Sequence, residues 1–162
     1  GTDRMEDIVA KLLTDKGLTV ATAESCTGGL LAKRLTDTPG SSSYMERGAV
    51  TYSNLAKEEM LGVDERTLRE HGAISKETAQ AMAEGIRGSS KASIGLSITG
   101  IAGPAGGTPA KPVGLVYIAI ATPDGVTVKG YNFPGARDTV RAAASQRALD
   151  MLRRYLIGAN NA

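Results

Sequence analysis

Between Gly40 and Lys57 the chain reads GSSSYMERGAVTYSNLAK, and three residue types in it can do nucleophilic chemistry without a histidine. They are a serine from Ser41, Ser42 and Ser43, the tyrosine Tyr52, and Lys57. With Asn54 taken as the N-cap of a helix, Lys57 falls at its third position. The bare N–H groups and the dipole there disfavour a positive charge. The same field, helped by partial burial, lowers a lysine's pKa. A lysine that sheds its proton near neutrality is the base a serine nucleophile needs. The competing local reading is a solvated lysine on a surface helix after a polar serine turn. Short patterns of common residues do not separate the two.

The elements around this stretch follow from periodicity. Met5, Ile8, Val9, Leu12 and Leu13 recur at helical spacing, and Gly17 closes that helix. Leu18 to Ala23 reads as a buried strand. It runs into Glu24-Ser25-Cys26-Thr27-Gly28-Gly29, and Leu30, Leu31 and Leu35 mark a second helix. A strand, a small polar turn with paired glycines and a helix presents backbone N–H groups to an anion. The turn matches neither the Walker A pattern nor GxGxxG, and a plain tight turn remains the alternative. After a short strand at Gly48 to Tyr52, helices are expected over Leu55 to Leu61, from Asp64 to near Gly72, and from Ser75 through Ala79, Met82, Ala83 and Ile86.

Ala92 to Thr99 is the next strand, and it ends in a loop from Gly100 to Gly107 with four glycines and a proline. Ligands usually sit in such loops at the carboxyl end of a strand. Val113 to Thr122 and Val126 to Phe133 flank the hairpin signal Pro123-Asp124-Gly125, and a long helix follows Pro134-Gly135. The order α-β-α-β-α-α-α-β-β-β-α predicts a three-layer α/β/α sandwich on a mixed five-stranded sheet. One domain is expected over 1–162.

Composition narrows the function classes. With 162 residues, 41% of them hydrophobic, the chain can bury a full core, while 4% aromatics and no Trp argue against base-stacking surfaces. A net charge of +2 spread over the chain disfavours a nucleic-acid partner. One Cys and one His exclude a disulfide framework and the usual zinc clusters, so neither metal nor cofactor is expected. The longest apolar run, Val113 to Ala121, is too short to span a bilayer. Gly1-Thr2 reads as a cloning remnant, no signal peptide is expected, and the expected location is cytoplasmic.

Several pieces together resemble one family: Ala23 to Gly29, Gly40-Ser41-Ser42, Val50 to Asn54 with Lys57, Ser97 to Pro104, Lys111 to Gly114, and Phe133-Pro134-Gly135 with Arg137. The sequence is similar to the C-terminal domain of the competence/damage-inducible protein CinA, whose stand-alone members are nicotinamide-nucleotide amidohydrolases. The resemblance covers nearly the whole chain. It implies hydrolysis of the carboxamide of nicotinamide mononucleotide to nicotinate mononucleotide and ammonia, in pyridine nucleotide salvage. By motif, the family's nucleophile matches Ser42, its base Lys57 and its tyrosine Tyr52. Thr99 matches a pocket-lining position and Arg137 a basic residue at the start of the last helix.

On this reading Lys57 takes the Ser42 proton directly or through Tyr52. Backbone N–H groups of Gly40 to Ser43, or the Thr99 hydroxyl, serve the oxyanion. The nucleotide is expected against Gly40, Ser41, Thr27, Gly28, Gly29, Gly100 and Gly103, with its phosphate within reach of Arg137. The expected partners are a small-molecule nucleotide and further copies of the chain as a homo-oligomer, with no membrane. Cys26 at a helix N-terminus allows a cysteine amidase as a minor alternative. Glu24 is expected to shape its turn. Arg141, Arg147, Arg153 and Arg154 are expected on a solvated face or a subunit contact. A non-catalytic nucleotide-binding or regulatory module would use the same glycine loops without the dyad. A phosphate-transfer enzyme is disfavoured by the missing P-loop lysine.

Overall fold

A computed structural model describes residues 4–158, so Gly1, Thr2 and both ends of the expected domain lie outside the described residues. Among these, six α-helices and five strands follow the order expected from periodicity. They are α1 (Met5–Lys16), β1 (Val20–Glu24), α2 (Leu30–Thr36), β2 (Met45–Val50), α3 (Asn54–Leu61), α4 (Glu65–His71), α5 (Lys76–Ser90), β3 (Ile94–Gly100), β4 (Leu115–Thr122), β5 (Gly125–Asn132) and α6 (Arg137–Leu156). A short 3-10 turn over Ser41–Ser43 precedes β2.

The strands form one sheet in the order β2-β1-β3-β4-β5. β1 is parallel to both β2 and β3, while β4 runs antiparallel to both β3 and β5. The parallel strands are joined through α2 and through α3–α5, and the antiparallel ones by chain reversals without helices, as crossover geometry requires. The helices sit on both faces of a mixed sheet, which makes the fold an α/β sandwich.

Two faces of very different bulk carry the sandwich. On one, Val20, Ile94, Leu96, Ile98, Val116, Ile118 and Ile120 pack against Val9 and Leu13 of α1, Leu31 and Leu35 of α2, and Val140, Leu149 and Leu152 of α6. Alternate positions on the same strands are small. Ala21 and Ala23 meet Met82 and Ile86 of α5, and Ala119 and Ala121 meet Ala79 and Ala83. Because strand side chains alternate between faces, aliphatic branches fill the α1/α2/α6 side while α5 lies almost on the backbone of the other. Gly95 marks that closeness, since a Cβ there would run into the Ala83 carbonyl and the Arg87 side chain.

Boundaries differ from periodicity where hydrogen bonds override it. β1 begins at Val20 because the Leu18 N–H closes α1 by donating to Leu13 O (3.1 Å). β2 begins three residues before the expected Gly48 although Glu46 and Arg47 are exposed. It is an edge strand, held by its pairing to β1 from Val20↔Met45 to Glu24↔Val50 and not by an apolar face. Val113 and Gly114 stay in the loop ahead of β4, with Gly114 N–H on Ile101 O at 2.8 Å. No helix among the described residues is long and apolar enough to cross a membrane.

The contact between α5 and the sheet yields a test. Gly95→Val should cost about 1–3 kcal/mol of stability, the usual penalty for overpacking. It should lower the denaturant midpoint with an unchanged slope. Gly88→Ala, on the same helix with nothing within 4 Å of its missing Cβ, should stabilise by up to about 1 kcal/mol.

Candidate active site

Parallel pairing of β1 with β2 and β3 brings three carboxyl-terminal strand ends together. Beyond the last β1–β2 pair, Thr51 N–H donates to Glu24 O (2.8 Å), so the chain leaving β2 runs beside the chain leaving β1. Ser25, the first residue after β1, donates its N–H to Ile98 O of β3 at 3.0 Å. Ser25 therefore stands between the exit of β2, which leads to Tyr52 and Lys57, and the exit of β3, which leads to the glycine-rich loop.

Lys57 enters this gap from α3. The helix is capped by Ser53, whose Oγ accepts from Ala56 N–H at 3.0 Å, rather than by Asn54. Lys57 is thus the fourth helical residue, and helical side chains lean back toward the N-terminus. Its chain returns to the residues just before the helix and is 1% exposed. Nζ lies 2.6 Å from Thr51 O, 3.4 Å from Tyr52 O and 3.1 Å from Ser25 Oγ. Among the described residues no carboxylate pairs with it. Burial, one of the two causes expected from the sequence, draws its pKa below the ordinary lysine value, opposed by the nearby Cys26 thiol.

The arrangement has a chemical consequence. Two of the three partners are carbonyl oxygens, which only accept. A neutral amine satisfies both with its two N–H bonds and keeps its lone pair for the Ser25 hydroxyl proton. The same three distances suit an ammonium that donates to all three oxygens, so the site accommodates Lys57 in either protonation state.

The serine expected at this place was Ser42, and the structure corrects that pairing. Gly40 and Ser41–Ser43 form the turn that returns the chain from α2 into β2, at the amino-terminal end of the strand. The five steps from Met45 to Val50 separate the two ends of β2 by about 16 Å. Gly40, Ser41 and Ser42 are consequently remote from Lys57, and Ser41 Oγ instead faces Thr36 O at 3.4 Å. Tyr52 is also placed differently. Its carbonyl, not its hydroxyl, faces Lys57, and its side chain is largely exposed with Oη receiving Arg137 Nη2 at 3.2 Å.

A cleft of about 260 Å³ opens over Ser25 and Lys57, walled by Cys26, Tyr52, Ala73, Ile74, Arg137 and the loop residues Gly100–Ala102, Gly103, Ala105 and Gly106. Gly100, Gly103 and Arg137 are where the sequence put them. Arg137 Nη1 also donates to Gly103 O (2.8 Å), so one guanidinium joins the loop to Tyr52. Thr99 is buried, and its hydroxyl donates to Ala73 O at 2.8 Å, which sets the cleft wall from behind. Thr27, Gly28 and Gly29 build the turn beneath the cleft. Thr27 Oγ1 donates to Glu24 Oε1 (2.6 Å), and both glycines adopt positive φ.

Glu24 shapes this turn as expected, and more. Its carboxylate is 1% exposed and accepts from Leu31 N–H (2.9 Å) and Ala32 N–H (3.0 Å), capping α2, whose own N-cap is Gly29. Cys26 is buried, and burial pushes its thiol up to about 11, so it holds no thiolate near neutrality and the cysteine alternative loses its nucleophile. Of the α6 arginines expected on a solvated face or a subunit contact, Arg147 and Arg154 are exposed, while Arg141 and Arg153 are half-buried. Arg141 reaches the carbonyls of Cys26 and Thr27, Arg147 stacks over Tyr131, and Arg153 and Arg154 pair with Asp150. Ser25 itself was passed over in the sequence, although a serine directly after a buried strand, in a turn that opens a helix, is the context that exposes a nucleophile.

Comparison with known proteins agrees with this fold. Residues 2–156 match the CinA C-terminal domain. The chain is 57% identical over 156 residues to a putative competence-damage inducible protein of Caldanaerobacter subterraneus subsp. tengcongensis and 53% identical over 156 residues to a CinA-like protein of Syntrophotalea carbinolica. Each alignment covers 96% of this chain but 38% of the relative, so the chain spans well under half the length of either protein. Among solved structures, the competence/damage inducible protein CihA from Agrobacterium tumefaciens superposes with a TM-score of 0.89 at 44% identity, over 94% of this chain and 95% of that one. A CinA superfamily protein from Klebsiella pneumoniae gives 0.91 at 33% identity, over 96% and 99%. The chain belongs to the CinA C-terminal domain family.

Proposed function

We propose that the chain is a serine amidohydrolase that converts nicotinamide mononucleotide to nicotinate mononucleotide and ammonia, with Ser25 as nucleophile and Lys57 as base. The observation that carries the reading is the 3.1 Å contact between Lys57 Nζ and Ser25 Oγ, made by an amine whose other two partners are carbonyls. The substrate follows from the resemblance to stand-alone members of the family.

The steps balance on these two groups. Ser25 Oγ attacks the carboxamide carbon while its proton passes to the Lys57 lone pair. The oxyanion is met by backbone N–H groups of the Ser25–Gly29 turn. The ammonium so formed returns the proton to the carboxamide nitrogen, which leaves as ammonia and leaves an ester on Ser25. Water then enters along the same path and attacks the ester carbon while giving one proton to Lys57. Lys57 hands that proton to Ser25 Oγ as the C–Oγ bond breaks, and the acid so released loses its own proton to solvent as the carboxylate product. Arg137, at the rim of the cleft, is the group offered to the nucleotide phosphate.

Three variants and a pH profile test the reading. Ser25→Ala should abolish ammonia release from nicotinamide mononucleotide, whereas Ser42→Ala should keep parent activity. The reverse result returns the nucleophile to the serine turn. Lys57→Arg keeps the charge but has no lone pair to offer at any working pH. It should lose on the order of 100-fold or more in turnover, the scale of a missing general base. The parent rate should rise with pH as the neutral amine forms, along a limb centred below the free lysine value of about 10.4 because burial disfavours the ammonium. A parent that binds the nucleotide but releases no ammonia would instead be a binding or regulatory module.

A further inference from the structure

Arg141 lies on the second turn of α6 and is not part of the cleft wall, yet it holds the turn that carries Ser25. Its Nε donates to Cys26 O at 3.1 Å and its Nη2 to Thr27 O at 3.3 Å. A trans peptide points its C=O and N–H in opposite directions. Fixing these two carbonyls toward α6 therefore turns the N–H groups of Thr27 and Gly28 the other way, into the turn. Gly28 N–H confirms the direction, since it donates back to Ser25 O at 3.1 Å. Its sibling, Thr27 N–H, belongs to the peptide whose carbonyl carries the shorter arginine bond.

Room for the guanidinium is specific to this sequence. Gly28 has φ +59, and a Cβ on it would lie 3.1 Å from Arg141 Nη2. On the other flank of the same turn, the buried Glu24 carboxylate holds the Thr27 hydroxyl and the first N–H groups of α2. The turn is thus gripped by a cation on its carbonyl side and an anion on its helix side. A guanidinium on a peptide carbonyl makes a charge-assisted bond, and the polarised peptide becomes a stronger N–H donor.

We propose that Arg141 is a positioning residue for the reaction. It orients and polarises the Cys26–Thr27 peptide so that the Thr27 N–H is set beside Ser25 before an oxyanion forms, while the Gly28 N–H stays on Ser25 O and fixes the turn. This rests on the reading of Ser25 as nucleophile. It predicts an effect on the chemical step and little on binding, because Arg141 does not wall the cleft.

The test is steady-state ammonia release from nicotinamide mononucleotide by the parent, Arg141→Ala, Arg141→Lys and Ser25→Ala, with thermal melting of each. Arg141→Ala should lower kcat about 100-fold, the scale on which a mispositioned group costs catalysis. Its KM should stay within about threefold of the parent, as expected when only transition-state stabilisation is lost. Arg141→Lys, which cannot bridge two carbonyls with a planar fork, should fall between the two. The rising pH limb should keep its midpoint in both, since Lys57 is untouched. Added methylguanidinium should partly restore Arg141→Ala and leave Ser25→Ala inactive.

Unchanged kcat in Arg141→Lys and Arg141→Ala, or a raised KM at unchanged kcat, overturns the proposal and leaves the Ser25 reading standing. Should Arg141→Ala not fold, the kcat of the folded Arg141→Lys decides by the same criterion. If Ser25→Ala retains activity, or the parent releases no ammonia, the reading itself fails and the proposal with it.

Discussion

A lysine amine buried against two backbone carbonyls and a serine hydroxyl, with no carboxylate to neutralise it, is the constraint on which the rest of this structure turns. Taking an unpaired ammonium out of water costs several kcal/mol even after relaxation. The fold can hold Lys57 there only by offering acceptors fixed by backbone geometry, the carbonyls of Thr51 and Tyr52. Those carbonyls are set by the β1–β2 register and by the Ser53 cap of α3. The same burial that strains the ammonium favours the neutral amine, so the stability cost and the proposed chemistry share one cause.

The sheet pays for precision at this edge by being thin on one face. Ala21, Ala23, Gly95, Ser97 and Ala119 let α5 lie close, and Ser97 Oγ ties the strand to Ala79 O at 2.6 Å. The segment entering α5 supplies Ala73 and Ile74 to the cleft, with Ala73 O held by Thr99 from β3. The small residues in mid-strand and the cleft wall at the strand end are thus parts of one contact. On the opposite face the long aliphatics fix α2 and α6, the helices whose first turns lie beside the Ser25 turn and the cleft rim.

Between these layers, the turn after β1 is held by its own backbone hydrogen bonds and by two charges, Glu24 and Arg141, that do not wall the cleft. Glu24 caps α2 from the strand before it, replacing a side-chain cap that Gly29 cannot provide. Arg141 takes the carbonyls on the other side. A turn fixed by its own flanking elements can present Ser25 without large side chains of its own, which leaves space above it for a ligand.

The sequence alone determined the kinds and order of the elements, because helical and strand periods, Gly17, the Asp64 and Ser75 caps and the Pro123-Asp124-Gly125 hairpin are local signals. It also offered Lys57 as a lysine of lowered pKa against a solvated alternative and the Gly100 to Gly107 loop as a ligand position, while Arg137 entered through the family resemblance. What it misplaced was the serine that meets Lys57, which it put at Ser42 in the Ser41–Ser43 turn while passing over Ser25. Ser42 follows Gly40-Ser41 and is nearer to Lys57 in sequence, whereas Ser25 follows Glu24 at the end of a strand. Only the parallel register, which pairs Glu24 with Val50 and Val20 with Met45, sends the serine turn to one end of β2 and Lys57 to the other. Long-range strand pairing carries no local sequence mark, so the partner of Lys57, and the contact of Arg141 with a turn more than a hundred residues away, were decided by tertiary structure.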